Sequence, residues 1–306
     1  MRHDSAPKQG EPRPSREHPA GRGRTTTGSF DALQGLGAAR SRKERPQAVL
    51  EVLSRSRVTP NLMRVRLGGE QVDRLVRNDF TDAYVKLMFP RPGSALEPPF
   101  DLAHLRAHAP EDLPALRTYT VRRWEADALA IDVVLHGHPR LDGIASSWAD
   151  GALPGDRIAV RGSGGAYRPD PTATEHLLIG DHSALPAIAR SLEEMPADAR
   201  GRALLHVDQP EDRCELRAPD GIDVRWIDGP REALASAVAA LPAIDASGVQ
   251  VFAHGERGLV KQLRTELVRT RMVPRDRISI SAYWALGRVE DEFQAEKRTD
   301  IGRIDP

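Results

Sequence analysis

The chain has 306 residues with 44 basic and 44 acidic side chains, so its formal net charge is zero and nothing in the overall balance points to nucleic acid or another polyanion as partner. With 40% hydrophobic and 29% charged residues it is long enough for two ordinary globular domains. Cys214 is the single cysteine, which excludes an intrachain disulfide, a CxxC redox pair and a cysteine-ligated iron–sulfur cluster within one chain, and suits a reducing compartment.

No run approaches the roughly 18 apolar residues that a membrane span requires, and no apolar leader core opens the chain, so a cytoplasmic protein with no membrane partner is expected. Residues 1–45 are rich in Arg, Pro, Gly, Ser and Thr and read as a disordered basic tail. Gly35-Leu36-Gly37 opens like a dinucleotide fingerprint, but no strand precedes it and no third glycine follows at the required offset.

From Pro46 come short alternating segments: "AVLEVL", "LMRVRL", "YVKLMF", "RTYTVRRW", "LAIDVVLH" and "RIAVRG". Turn formers such as "LGG", "PRPG" and "LPGD" break them, which predicts a β-barrel or sandwich over 46–168. A proline-rich linker, "AYRPDPTAT", follows. From His176 the rhythm becomes strand, helix, strand: "HLLIG", "SALPAIARSLEEM", "RALLHV", "VRWID", "REALASAVAAL", "VQVFAHG", "ERGLVKQLRTELVRTRM" and "ISISAYW". That alternation predicts a parallel-sheet α/β domain over 174–292, and 293–306 reads as a C-terminal tail.

Four stretches carry candidate chemistry. In "RTYTVRRW" neither alternating face is cleanly apolar, and Arg117, Tyr119 and Thr120 would suit a pyrophosphate, a flat ring and a polar ring atom, although for the tetrapeptide alone an edge strand with a surface arginine is the plainer reading. In "LHGHPRLDGIASSW" the residues Gly143 to Ser146 open a short helix whose free N–H groups suit a phosphate, or which is merely capped. His136 and His138 stand two apart on a strand, but no carboxylate or cysteine cluster accompanies them, so no metal site is expected. Gly180-Asp181 in "LLIGDHSALP" and Gly255-Glu256 in "VFAHGERGLV" end strands where a parallel sheet binds ligands, yet no GxGxxG accompanies them; an N-capped βα turn is the plainer reading of the first.

Taken in order, "VTPNLMRVRLGG", "YVKLMFP", "RTYTVRR", "IDVVLHG" with "GIASSWA", "PGDRIAVRGSGG", "LLIGDHSALPAIARSLEEMP", "AHGERGLVKQLR" and "YWALGRVED" make the chain resemble the siderophore-interacting proteins, from about Val49 to Asp291. These are FAD-dependent NAD(P)H ferric-siderophore reductases of the ferredoxin-NADP reductase-like superfamily. The resemblance implies an antiparallel Greek-key barrel that holds FAD, then a Rossmann-like domain that binds NADPH or NADH. It implies that Arg117, Tyr119, Thr120 and Val121, with His136, Gly137, Gly143, Ala145 and Ser146, hold the flavin. It assigns Gly180, Asp181, Ser183, Ala184, Pro186, His254, Gly255 and Glu256 to the dinucleotide, and brings Tyr283 and Trp284 to the flavin or nicotinamide. No catalytic acid or base is implied: hydride passes to flavin and single electrons pass on to chelated iron. His182, Ile144 and Ala285 depart from the family pattern; Ala285 stands where a cation is common, so Lys86, Arg122 and Arg288 become the candidates for gripping an anionic ferric siderophore. A flavoreductase serving another acceptor and a non-enzymatic binding module are the alternatives.

Overall fold

The computed structural model describes residues 46–135, 143–297 and 299–304. The expected tail at 1–45, and His136 and Gly137, therefore lie outside the described residues.

Six strands close a barrel: β1 (Gln47–Thr59), β2 (Leu62–Gly68), β3 (Tyr84–Phe89), β4 (Ala115–Trp124), β5 (Ala128–Val134) and β6 (Arg157–Gly164), in the order β1-β2-β5-β4-β3-β6 with every pairing antiparallel. The choice between barrel and sandwich is thus resolved by β6, which pairs with both β1 and β3 and leaves no free edge. Alternate residues point inward: Leu50, Val65, Leu87, Val121, Ile131 and Val160 are all buried in one core. Each contributes about 1.5–3 kcal/mol of burial free energy. Two short helices, α1 (Leu102–His108) and α2 (Ile144–Gly151), belong to this half.

The second half is a five-stranded parallel sheet: β7 (Glu175–Gly180), β8 (Arg200–Val207), β9 (Gly221–Asp228), β10 (Val249–Glu256) and β11 (Ile278–Trp284), in the order β11-β10-β7-β8-β9. Helices α3 (Leu185–Glu194), α4 (Glu232–Ala239) and α5 (Arg257–Arg264) connect them. Leu178, Leu205 and Phe252 pack with α3 on one face, while Leu177, Ile179, Leu204 and Val251 pack with residues of α4 and α5 on the other. A sheet covered on both faces explains the continuous apolar run of "HLLIG".

The helix predicted through "ERGLVKQLRTELVRTRM" is α-helical only to Arg264 and continues as a π-helical turn over Thr265–Thr270. Arg271 there donates to Glu266 and to the carbonyls of Val238, Ala239, Leu241 and Pro242, closing the C-terminus of α4. The stretch read as a tail from 293 begins inside a final helix, α6 (Glu290–Glu296). Its Phe293 is fully buried against Ala282 and Ala285, because α6 folds back onto the sheet edge and the barrel rather than trailing away. Among the described residues no helix is long and apolar enough to cross a membrane.

The two halves share a seam. Asp212, after β8, is buried and accepts from Thr59 Oγ1 at 3.0 Å, Asn61 N at 2.9 Å and Asn61 Nδ2 at 2.8 Å. Thr81 and Ser191 hydroxyls meet at 2.7 Å, and Asp82 accepts from Ala166 N and Tyr167 N of the connecting segment. Leu62 of the barrel lies in the core of the second half.

Candidate functional site

Strand β4 meets three neighbours at once, and this accounts for its mixed faces. Val121 and Tyr119 face the barrel core, Arg122 and the Val121 carbonyl face α3, and Arg117 and Thr118 meet α6. Glu290 of α6 accepts from Thr118 N at 2.9 Å and from Thr118 Oγ1 at 2.5 Å. Asp291 stands 3.8 Å from the Arg117 guanidinium and 3.4 Å from that of Arg91. Arg117 also donates to its neighbour's carbonyl, Leu116 O, at 2.7 Å. Thr120 is buried opposite Tyr84, and Tyr119 packs on the barrel core. Burial raises the Tyr119 pKa, with Glu290 adding to the rise and Arg117 opposing it, so the phenol keeps its proton.

Gly143 leads α2 with no side-chain cap, and space is open where its Cβ would be. Ala145 and Ser146 behind it are buried. Ser146 N and Ser147 N already donate to the Gly143 carbonyl at 2.9 and 3.2 Å, so only the first two N–H groups of α2, those of Ile144 and Ala145, lack an acceptor within the helix.

On the sheet side Gly180 ends β7. A side chain there would press on Ala184, Ile188 and the His254 carbonyl, so the glycine serves the close approach of α3 and β10. Asp181, expected in the turn that receives the dinucleotide, has a buried carboxylate that is hydrogen-bonded within the protein. Oδ1 accepts from Ser183 N at 2.9 Å and Ser183 Oγ at 2.5 Å; Oδ2 accepts from Glu256 N at 2.8 Å and Trp284 Nε1 at 2.9 Å. Gly255, at φ +152°, leaves room for that carboxylate, which would lie 2.7 Å from an added Cβ. Glu256 is likewise consumed, capping α5 through Leu259 N and holding Leu286 N. Ala184 is buried at the head of α3, with Pro186 two residues on. Pro186 lines a cavity with Arg64, Arg122, Asp132 and Cys214, on the seam but apart from the aromatic residues of β11.

His254 stacks on Phe252 at 4.1 Å between ring centroids and lies 4.8 Å from Tyr283, with Nε2 and Ser279 Oγ 2.9 Å apart. Burial, with help from the Lys297 charge, pushes its pKa from the usual 6.5 to about 3, so the ring is neutral at physiological pH. Burial also holds the Tyr283 hydroxyl protonated, with the nearby carboxylates of Asp82 and Asp181 adding to the effect. Trp284 is fixed by Asp181 at its edge and carries the Arg231 guanidinium on its face, 4.8 Å from the ring centroid.

The three cations expected to grip substrate have separate fates. Arg122 is buried and forked onto Glu193 at 2.9 and 2.5 Å, fastening β4 to α3. Arg288 donates to Glu296, which Arg257 also holds, and the three together secure α6. Neither is a free surface cation, because each found a carboxylate that local alternation could not reveal. Lys86, opposite Thr118, has no ion pair among the described residues. Ala285 is buried beneath Phe293, so a cation there would be desolvated. The sequence reading missed Lys297, whose ammonium lies 4.6 Å from the Phe293 ring; desolvation lowers its pKa, Glu290 opposes that and Lys86 adds to it. The motif "EDEFQAEK", with three acids in the first helical turn and a lysine at the end, was the available signal for this helix.

A six-stranded antiparallel barrel followed by a parallel α/β sheet, with aromatics at the strand ends facing the seam, defines a protein of the ferredoxin reductase-like fold. Ferredoxin-NADP+ reductase from Plasmodium falciparum superposes with a TM-score of 0.57 at 10% identity over 78% of this chain and 96% of that one, a likeness of fold alone. Within that class the chain belongs to the siderophore-interacting proteins: residues 51–167 match the siderophore-interacting FAD-binding domain and residues 173–287 match the siderophore-interacting protein model. The siderophore-interacting protein SipS from Aeromonas hydrophila superposes with a TM-score of 0.71 at 33% identity, covering 83% of this chain and 97% of that one. Ferric vibriobactin reductase ViuB from Vibrio cholerae is 33% identical over 260 residues, 81% of this chain and 93% of its own. The NADPH-dependent ferric-chelate reductase of Escherichia coli is 29% identical over 239 residues, 77% and 91% respectively.

Proposed function

We propose that the chain is a cytoplasmic FAD-dependent NAD(P)H ferric-siderophore reductase that frees iron by reducing Fe(III) to Fe(II). One observation carries the reading: Arg117 and Tyr119 of β4, Tyr283 and Trp284 of β11, and the cations Lys86 and Lys297 converge on the same seam. The activities named for the Vibrio cholerae and Escherichia coli relatives support the choice of acceptor.

The residues fit a flavin dinucleotide. Arg117 has only a loose carboxylate neighbour, at 3.8 Å, and can turn its fork to a pyrophosphate; the start of α2, with no side-chain cap, presents the N–H groups of Ile144 and Ala145; Tyr119 offers a ring. Bound FAD supplies the conversion of two-electron to one-electron chemistry, so that one NAD(P)H gives NAD(P)+ and a proton while two Fe(III) become two Fe(II). Oxygen-rich chelators hold Fe(II) less tightly than Fe(III), which releases the metal. The protein's part is to align and to attract: the neutral His254 and the protonated Tyr283 place no charge against the rings, while Lys86 and Lys297 favour an anionic chelate.

The purified protein is expected to be yellow, with FAD held non-covalently. Arg117→Ala should weaken FAD binding by about 10- to 100-fold, the worth of a charge-assisted contact, and Tyr119→Ala should also lower flavin occupancy. A colourless protein that takes up no FAD would sink the reading.

The reductase step has its own test in stopped flow, where NADPH bleaches the flavin and ferric chelate restores its colour. Lys86→Ala should slow recolouring about five- to tenfold at low salt, with the deficit shrinking at high salt because the attraction is screened over about 8 Å at physiological ionic strength. Arg122→Ala should instead lower stability by about 2 kcal/mol through the stranded Glu193, with no salt-dependent change in recolouring by chelate. Wild-type recolouring in Lys86→Ala would favour a second reading, a flavoreductase for another acceptor. The engagement of Arg122 and Arg288, and the burial of Ala285, are the features that support that alternative.

A further inference from the structure

Helix α1 carries two histidines four residues apart, His104 and His108, in "HLRAH". At that spacing both side chains rise from one side of a helix. Their rings lie nearly parallel, with 21° between planes and 4.5 Å between centroids, and both residues are exposed. The opposite side of the helix is buried: Leu102 and Leu105 pack with Met88 of β3, Ala159 of β6 and Phe100. The helix is also held at its ends. Gln47 of β1 donates to Phe100 O at 2.7 Å and accepts from Phe100 N at 3.1 Å, and beyond the helix Arg91 donates to Leu113 O at 2.9 Å. Asp101 caps its start through His104 N. The two imidazoles therefore stand on a backbone that is fixed before any ligand arrives.

One ring already has the tautomer that a metal ligand requires. His108 Nδ1 lies 3.1 Å from the His104 carbonyl, and a carbonyl only accepts, so Nδ1 donates and the lone pair of the neutral ring sits on Nε2. A ring N–H given to a backbone carbonyl is the usual support of a metal-bound histidine. The His104 ring makes no hydrogen bond among the described residues and can turn a nitrogen toward that of His108. Two nitrogens at about 2.0–2.1 Å from one tetrahedral cation stand roughly 3.4 Å apart. The present rings are 4.5 Å apart, and rotation of the His104 side chain closes the difference.

We propose that His104 and His108 chelate one divalent transition-metal cation, of the zinc, nickel and copper class, on the outer face of the barrel. Imidazole nitrogen favours these ions over the hard Mg2+ and Ca2+, which take oxygen ligands. Among the described residues no three His, Cys, Asp or Glu side chains gather around a metal, so water completes the coordination and the ion exchanges with solvent. That makes the site an open one rather than the closed four-ligand cage of a structural metal. It lies beside the seam without belonging to it. Val85, Leu87 and Phe89 of β3 point into the barrel core, so Met88 and Lys86 point outward, Met88 beneath α1 and Lys86 toward α6. Arg91 joins the two helices, holding Leu113 O on one side and facing Asp291 at 3.4 Å on the other. Neither flavin nor nucleotide is needed for the ion to bind.

Calorimetric titration of the untagged, full-length protein with Zn2+, in the presence of excess Mg2+, tests this without any redox step. His104→Ala and His108→Ala should each weaken the wild-type site at least about tenfold, since each removes one of its two protein ligands. Zn2+ held elsewhere on the chain is common to all three proteins and cancels in the comparison. His104→Ala exchanges an exposed ring for a better helix former, so it should fold and carry flavin as the wild type does. Crystals soaked in Zn2+ and measured at the zinc absorption edge should show anomalous density between the two rings. Equal Zn2+ binding by the wild type and both variants, a loss confined to His108→Ala, or anomalous density at other side chains with none at α1 would each overturn the proposal.

Discussion

Between pH 6.5 and pH 3 the protein should lose stability at up to about 1.4 kcal/mol per pH unit through one residue, His254. The folded imidazole stays neutral down to about 3, because it is buried between Phe252 and Tyr283 with the Lys297 ammonium near, while in the unfolded chain it takes a proton at the usual 6.5. Below 6.5 the unfolded state therefore binds more protons, and acid favours unfolding until the folded ring also titrates. The full effect is roughly 5 kcal/mol. His176 acts in the same direction, its pKa lowered chiefly by burial; Asp82, raised by burial, contributes the opposite slope, since its folded form is favoured while protonated and loses ground as pH rises through its folded value. Urea unfolding of wild type and His254→Gln at pH 7, 5 and 4 isolates the component. The difference between them should narrow or reverse as pH falls, because glutamine keeps a polar group toward Ser279 and does not titrate. A difference constant with pH would mean that the ring is solvated and charges normally.

Replacing Asp181 should produce the largest loss at the site itself. Asp181→Ala removes one buried carboxylate that serves Ser183, Glu256 and Trp284, and leaves their donors unsatisfied, at a cost of about 3 kcal/mol in unfolding free energy. Asp181→Asn should be nearly as damaging. Its amide oxygen can replace Oδ1 toward Ser183, but its NH2 then faces the N–H groups of Glu256 and Trp284, donor against donor. Release of the indole should shift its fluorescence and free the Arg231 side chain stacked on its face. Wild-type emission and stability in both variants would remove Asp181 from its central position.

The contrast between Asp181 and Gly180 marks how far sequence carries. A strand running into "GD" and then a helix places a turn at the sheet's C-terminal edge, and β7 and α3 are there. The direction of the carboxylate depends on Glu256 and Trp284, 75 and 103 residues away, and no local pattern contains them. Arg122 repeats the lesson: alternation places it on β4 among the candidate site residues, but the carboxylate it pairs with, Glu193, stands 71 residues on. The barrel's strands were legible from alternation and turn residues, whereas its closure depends on β6 meeting β1 more than a hundred residues earlier in the chain. Helix α6 escaped notice because seven residues give barely two turns, too few for a periodic signal, and its anchoring depends on Thr118, Arg257 and Arg288.

The ties across the seam have a consequence for motion. Asp212 fastens β1 and β2 to the loop after β8, Thr81 and Arg122 fasten the barrel to α3, and Asp82 fixes the connecting segment. A hinge needs a few residues free to absorb a change of backbone angle, and here the connection itself is hydrogen-bonded on both sides. The two halves are therefore expected to move together, so that molecules bound at the seam under the proposed reading would enter and leave through rearrangement of side chains and short loops rather than through domain closure.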